Sequence, residues 1–144
     1  MDNSPITVSN THEQLVLDDE AVIKLALVVC AGERVEIDEL SIVLADHQTV
    51  RELNKTYLSH DYNTDVLSFS LSDPNHKNLD GEVYIDLDTA HERHQEFNTS
   101  FEMEAYRYIT HGLLHLMGYE DATVAQKDAM RSKEDLYLDQ FAKL

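Results

Sequence analysis

His111-Gly-Leu-Leu-His115-Leu-Met-Gly118-Tyr-Glu-Asp121 is the stretch on which the reading of this chain turns. Its first part has helical character, and two histidines four apart on a helix stand on one face, about one turn from each other. Gly118 follows three residues after the second histidine, where glycine can take the left-handed conformation that ends a helix and turns the chain back. Three residues later, Asp121 can return toward the pair. Neutral imidazoles and a carboxylate are good ligands for a borderline divalent ion such as zinc. The stretch therefore predicts a metal site of His111, His115 and Asp121 on a zincin-like helix, with at least one position left for water.

The extended zinc-protease pattern H-E-x-x-H-x-x-G-x-x-H has the same helix, the same glycine turn and the same offset to a third ligand. Here the third ligand is Asp121, and Gly112 replaces the glutamate that serves those proteases as general base. Without that proton acceptor the frame points to a metal but away from peptidase chemistry. A metal-free alternative stands beside it. In that reading the histidines of a core-facing helix bond to backbone carbonyls, and Asp121 caps the next helix ahead of Ala122 and Thr123. Asp121 can serve both purposes.

A chain of 144 residues with 42% hydrophobic content is expected to be a single domain with room for a core. Its one cysteine, Cys30, excludes an internal disulfide and sits in the apolar run Leu25–Cys30, where a buried structural thiol is the expectation. That run is too short to cross a bilayer. Met1-Asp-Asn-Ser-Pro5 has no basic region followed by an apolar stretch, so no secretory signal is expected and the cytoplasm is the expected location. The formal net charge is −17, from eleven basic and twenty-eight acidic residues. Such a balance favours solubility and cation binding and opposes polyanions.

In chain order, Pro5–Ser9 reads as a first strand, and Asp18 as the cap of a helix from Asp19 to Ala31 that Gly32 stops. That helix is expected to bury Val22, Ile23, Ala26, Leu27 and Cys30. Leu40–Ala45 is a β-branched, apolar run of strand length. A helix from His47 to Tyr57 follows, with Val50, Leu53, Asn54 and Tyr57 on one face and the basic pair Arg51 and Lys55 on a solvated one. The polar loop His60–Asp65 leads into a strand, Val66–Leu71, and the turn-rich Ser72–Gly81 connects it to the strand Glu82–Asp86 as a long-looped hairpin. Thr89–Phe97 reads as a helix with His91 and His94 on its surface. Thr99-Ser-Phe-Glu102 matches a capping box opening a helix from Ser100 to Met117, with Phe101, Ala105, Tyr108, Leu113 and Leu116 packed. The last helix is expected from Ala122 to Ala142, with Ala129, Leu136 and Phe141 toward the core. Interleaved strands and helices indicate an α/β (α+β) sandwich: a mixed sheet of about four strands packed with about five helices.

Three segments carry a resemblance. They are His111–Asp121, similar to H-G-x-x-H-L-x-G-Y-D-H; Leu53–Phe69, similar to L-N-x-x-Y-R-x-x-D-x-x-T-[DN]-V-L-S-F; and Gly81–Ile85, similar to G-D-[IV]-x-I. In this order and spacing they resemble the YbeY family of bacterial rRNA maturation factors, metal-dependent single-strand endoribonucleases. The resemblance implies one zinc ion at His111, His115 and Asp121, and hydrolysis of RNA phosphodiester bonds. It also implies work at the 3′ end of small-subunit rRNA and in ribosome quality control, and a cleft running past the metal. The chain departs from the pattern twice. Asp121 stands for the family's third histidine, a harder and anionic ligand that would acidify bound water less. Leu58 stands where an arginine able to grip phosphate in a fork is expected, leaving His60, Arg51 or Lys55 to supply charge.

His60 and Asp61 are the candidates for proton transfer or substrate positioning, with Asp65 anchoring their loop. So acidic a chain should bind free RNA weakly. Delivery of RNA by the ribosome, or by basic ribosomal proteins drawn to the acidic surface, is the expectation. A ribosome assembly factor with a structural metal and little or no catalysis is the second reading. The missing arginine and base favour it, and an open position on the metal opposes it.

Overall fold

The computed structural model describes residues 5–58, 65–73 and 77–144, without the side chains of 57 and 58. His60 and Asp61, most of their loop, residues 1–4 and the middle of the 72–81 connection lie outside the described residues, as do the side chains of Tyr57 and Leu58.

Among the described residues, four strands form one mixed sheet: β1 (Ile6–Asn10), β2 (Ile37–Ala45), β3 (Val66–Ser70) and β4 (Leu79–Asp86), in the order β1-β2-β4-β3. β1, β2 and β4 run parallel, and β3 closes the edge antiparallel to β4, as the long-looped hairpin predicted. Five α-helices accompany them: α1 (Asp19–Glu33), α2 (His47–Leu58), α3 (Leu87–Arg93), α4 (Phe101–Leu116) and α5 (Val124–Ala142). The period-2 alternation of β2 sorts the faces. Leu40, Ile42 and Leu44 point into the large core with α1 and α4, while Val43 and Ala45 face the other way, toward Val50 of α2 and Leu67 of β3.

α4 is the central helix, resting on β3 and β4 with α1, α3 and α5 around it. Ala105, Ile109, Leu113 and Leu114 are buried along it. Gly112 is where it comes closest to the sheet. A Cβ there would sit 2.5 Å from Val83 Cγ1 and 2.8 Å from Val66 Cγ2. The Ser68 hydroxyl fastens the approach by donating to the Gly112 carbonyl at 2.9 Å. The protease glutamate is therefore absent for a steric reason: its position faces packed valines and not the cleft.

Several local expectations are corrected. Gly32 does not stop α1, which runs to Glu33 and ends in left-handed Arg34. Gly32 is instead where the Tyr137 ring lies against the helix and a side chain would collide with it. α1 buries Leu25 and Val29 together with Val22, Ala26 and Cys30, and leaves Leu27 exposed. Ser100, not Thr99, caps α4, accepting from the Met103 amide. Thr123, not Asp121, caps α5 in a capping box with Gln126. The α5 core face is Met130, Glu134, Tyr137 and Leu138, with Ala129 and Leu136 outside. The expected Thr89–Phe97 helix starts at Leu87 under an Asp86 cap and tightens into a 3-10 turn at His94–Phe97. The misplaced faces of α1 and α5 are errors of phase, made where a helix carries apolar residues on more than one side, and the rest are shifts of a helix end.

Gly112→Ala is expected to destabilise the protein by about 1–3 kcal/mol, because stiff β-branched valines cannot clear the added methyl. That outweighs the gain of about 1 kcal/mol in helix propensity. Chemical denaturation of the variant against the parent chain measures the difference.

Candidate metal centre

His111 and His115 project from the last turns of α4 with their Nε2 atoms 3.0 Å apart. The turn expected at Gly118 is present, with φ of 102°. It brings Asp121 back so that Oδ2 lies 3.2 Å from His111 Nε2 and 3.6 Å from His115 Nε2. The three side chains are partly buried, and their ligand atoms lie within 4.8 Å of one another. The residues predicted to converge do converge.

The other ring nitrogens fix the tautomers. His115 Nδ1 lies 2.9 Å from the Tyr119 carbonyl, which can only accept, so Nδ1 carries the proton. His111 Nδ1 donates in the same way to Glu134 Oε2 at 2.6 Å. With both Nδ1–H groups engaged, neutral rings turn two Nε2 lone pairs toward each other and toward a carboxylate oxygen. Three acceptors at these distances repel unless something positive sits among them. A proton answers this in part. Burial works against a charged His111, but the Glu134 hydrogen bond and the charges of Glu134, Asp65 and Asp121 outweigh it and raise its proton affinity. A divalent ion answers it more fully, because two nitrogens and one oxygen form a donor set suited to zinc.

Sequence reasoning missed two residues here. Glu134, on α5 and nearly buried, receives His111 on one oxygen and Arg107 Nη1 on the other at 2.9 Å. Arg107 reaches Asp135 as well, at 2.7 Å. Such a carboxylate orients a ligating imidazole and raises its basicity. The available signals were Arg107 standing four residues before His111, and a glutamate within the buried stripe of α5.

A second brace holds the turn. Tyr119, whose carbonyl receives His115, donates its hydroxyl to Glu33 Oε1 at 2.6 Å. Tyr137 and Lys133 also donate to Glu33. Burial alone would raise the Glu33 carboxyl, but these donors outweigh it and hold it below the ordinary range.

Beside His111 a cleft of about 410 Å³ opens between the 65 region, α3 and α5, with Asp65, Arg93, Tyr108 and Lys127 among its walls. The Asp65 carbonyl accepts from the Asp86 amide at 3.0 Å, and the loop it was expected to anchor lies outside the described residues. Asp65 also lines the cleft, where burial pushes its carboxyl upward against the opposing pull of His111. His94 Nδ1 bonds to the Thr99 carbonyl, and exposed His91 packs edge-on against Phe101. Cys30 is buried, which pushes its thiol up to about 11. Among the described residues no helix is long and apolar enough to cross a membrane.

Fold and cluster together define a class: an α/β protein in which two histidines near a helix end and a carboxylate returned by the following turn could hold a metal ion. The family model described as Endoribonuclease YbeY matches residues 7–142, and the chain belongs to that family. A protein named Endoribonuclease YbeY from Salinibacter ruber is 52% identical over 141 residues, covering 93% of this chain and 90% of the relative. One of the same name from Chloroherpeton thalassium is 41% identical over 133 residues, covering 92% of each chain. The solution structure of TM1509 from Thermotoga maritima superposes with a TM-score of 0.64 at 25% identity, over 94% of this chain and 88% of that one.

Glu33 gives the brace a testable sign. A carboxyl held below its ordinary value contributes stability at pH above about 4.5, and that stability is lost as the pH falls through the depressed value. Glu33→Gln is expected to cost about 1–3 kcal/mol at neutral pH. The gap to the parent chain should narrow as urea melts are repeated below pH 4.5.

Proposed function

We propose that this protein is a zinc-dependent, single-strand-specific endoribonuclease of the cytoplasm. In this reading it acts in maturation of the 3′ end of small-subunit rRNA and in ribosome quality control. His111, His115 and Asp121 hold the metal, and RNA is met on the ribosome or with basic ribosomal proteins. The observation that carries the reading is the convergence of two lone-pair-bearing Nε2 atoms and Asp121 Oδ2 at 3.0–3.6 Å, with both Nδ1–H groups already engaged. Membership of a family whose relatives are named endoribonucleases supplies the substrate class.

A divalent ion in this set would polarise a phosphoryl oxygen and acidify a bound water. The chain's own groups prepare for that. Glu134 and the Tyr119 carbonyl hold the two Nδ1 protons and so keep both Nε2 atoms available. His60 and Asp61 are proposed to position RNA or transfer a proton. Asp65, the described end of their segment, lines the cleft beside His111. Three candidate ligands among the described residues, with Asp121 partly exposed, leave room for water and weigh against a closed structural metal in a non-catalytic assembly factor. Peptidase chemistry is disfavoured, because no side chain fits at Gly112.

The purified chain is expected to contain about one zinc and to cleave single-stranded RNA but not casein, with cleavage abolished by a chelator. The double variant His111→Ala, His115→Ala should lose both the metal and the cleavage. Unchanged metal content in that variant would dispose of the site. Glu134→Gln, which keeps the shape but weakens the grip on His111, should lower zinc affinity about 10–100-fold, as read by competition with a chromogenic chelator.

A further inference from the structure

The positive charge of this acidic chain is unevenly placed. Among the sixteen residues lining the cleft beside His111 are four of the chain's eleven lysines and arginines: Arg93, Arg107, Lys127 and Arg131. Arg107 is taken up by Glu134 and Asp135. Lys127 and Arg131 stand one turn apart on α5 and have no side-chain ion pair among the described residues. Arg93 lies over the ring of Phe97, with its guanidinium carbon 5.2 Å from the centroid. Phe97 is 48% exposed, although it lines a cleft whose other walls are mostly polar.

An exposed ring backed by a guanidinium, beside unpaired cations, is what an unpaired nucleotide requires. The base stacks on a π face and the flanking phosphates meet the charges. Bases in a duplex have both faces covered and cannot use such a platform. We infer that this cleft holds a single-strand nucleotide subsite, in which one unpaired base of the RNA stacks on the Phe97–Arg93 pair while Lys127 and Arg131 of α5 hold neighbouring phosphates. The subsite rests on the endoribonuclease reading of the metal cluster, because it places the strand past His111.

Steady-state cleavage and fluorescence-anisotropy binding of a labelled single-stranded RNA test it, with the full chain loaded with zinc. Phe97→Ala should raise KM and weaken binding about tenfold, with kcat and zinc content unchanged. Phe97→Tyr should restore both. Lys127→Ala with Arg131→Ala should flatten the salt dependence of binding by about 0.7 for each phosphate contact removed. A parent chain that cleaves RNA, with KM unmoved in Phe97→Ala and an unaltered salt slope in the double variant, overturns the subsite alone. A zinc-loaded parent chain that neither binds nor cleaves RNA overturns the endoribonuclease reading and the subsite with it.

Discussion

One nearly buried carboxylate, Glu134, joins the two halves of the site. It receives the Nδ1 proton of His111 and the guanidinium of Arg107, and so ties α5 to the end of α4 that carries the histidines. A carboxylate taken out of water is costly unless it is well paired, and here both oxygens have charged or polar partners. Removing either partner leaves the other side of the bridge unsatisfied. The orientation of His111 and the packing of α5 are thus one constraint.

The reverse turn depends on a similar economy. Tyr119 presents its carbonyl to His115 and its hydroxyl to Glu33, so the backbone that returns Asp121 to the histidines is fixed at both ends of one residue. Gly118 permits the turn, and the Glu33 cluster decides where it points. On the sheet side, the contact of Gly112 with Val66 and Val83 sets how deep α4 lies. At the end of the helix so seated, His111 and the returning Asp121 line the cleft.

Charge explains how an acidic protein and a polyanionic substrate can be reconciled. A net charge of −17 repels RNA at a distance, where only the total is felt. Within a Debye length of about 8–10 Å, individual side chains matter more, and the cleft sets Arg93, Arg107, Lys127 and Arg131 beside the carboxylates of Asp65, Glu104, Asp121, Asp128 and Glu134. Under the proposed function, RNA would therefore be met close by, on the ribosome, and not drawn from solution by the total charge.

The strands, their hairpin and the convergence of His111, His115 and Asp121 were legible in the sequence, whereas the strand order β1-β2-β4-β3 was not. Strand alternation, helix spacing and the glycine turn are local properties that act within a dozen residues. The faces of α1 and α5 were misread, because both helices carry apolar residues on more than one side and only the neighbours choose among them. The partners of the site lay beyond local reach: Glu134 is 23 residues from His111, and Glu33 is 86 from Tyr119. The sequence by itself determined which atoms could meet around a cation. Tertiary structure alone decided what holds those atoms in place, because pairing across such separations depends on how helices pack and not on any repeat along the chain.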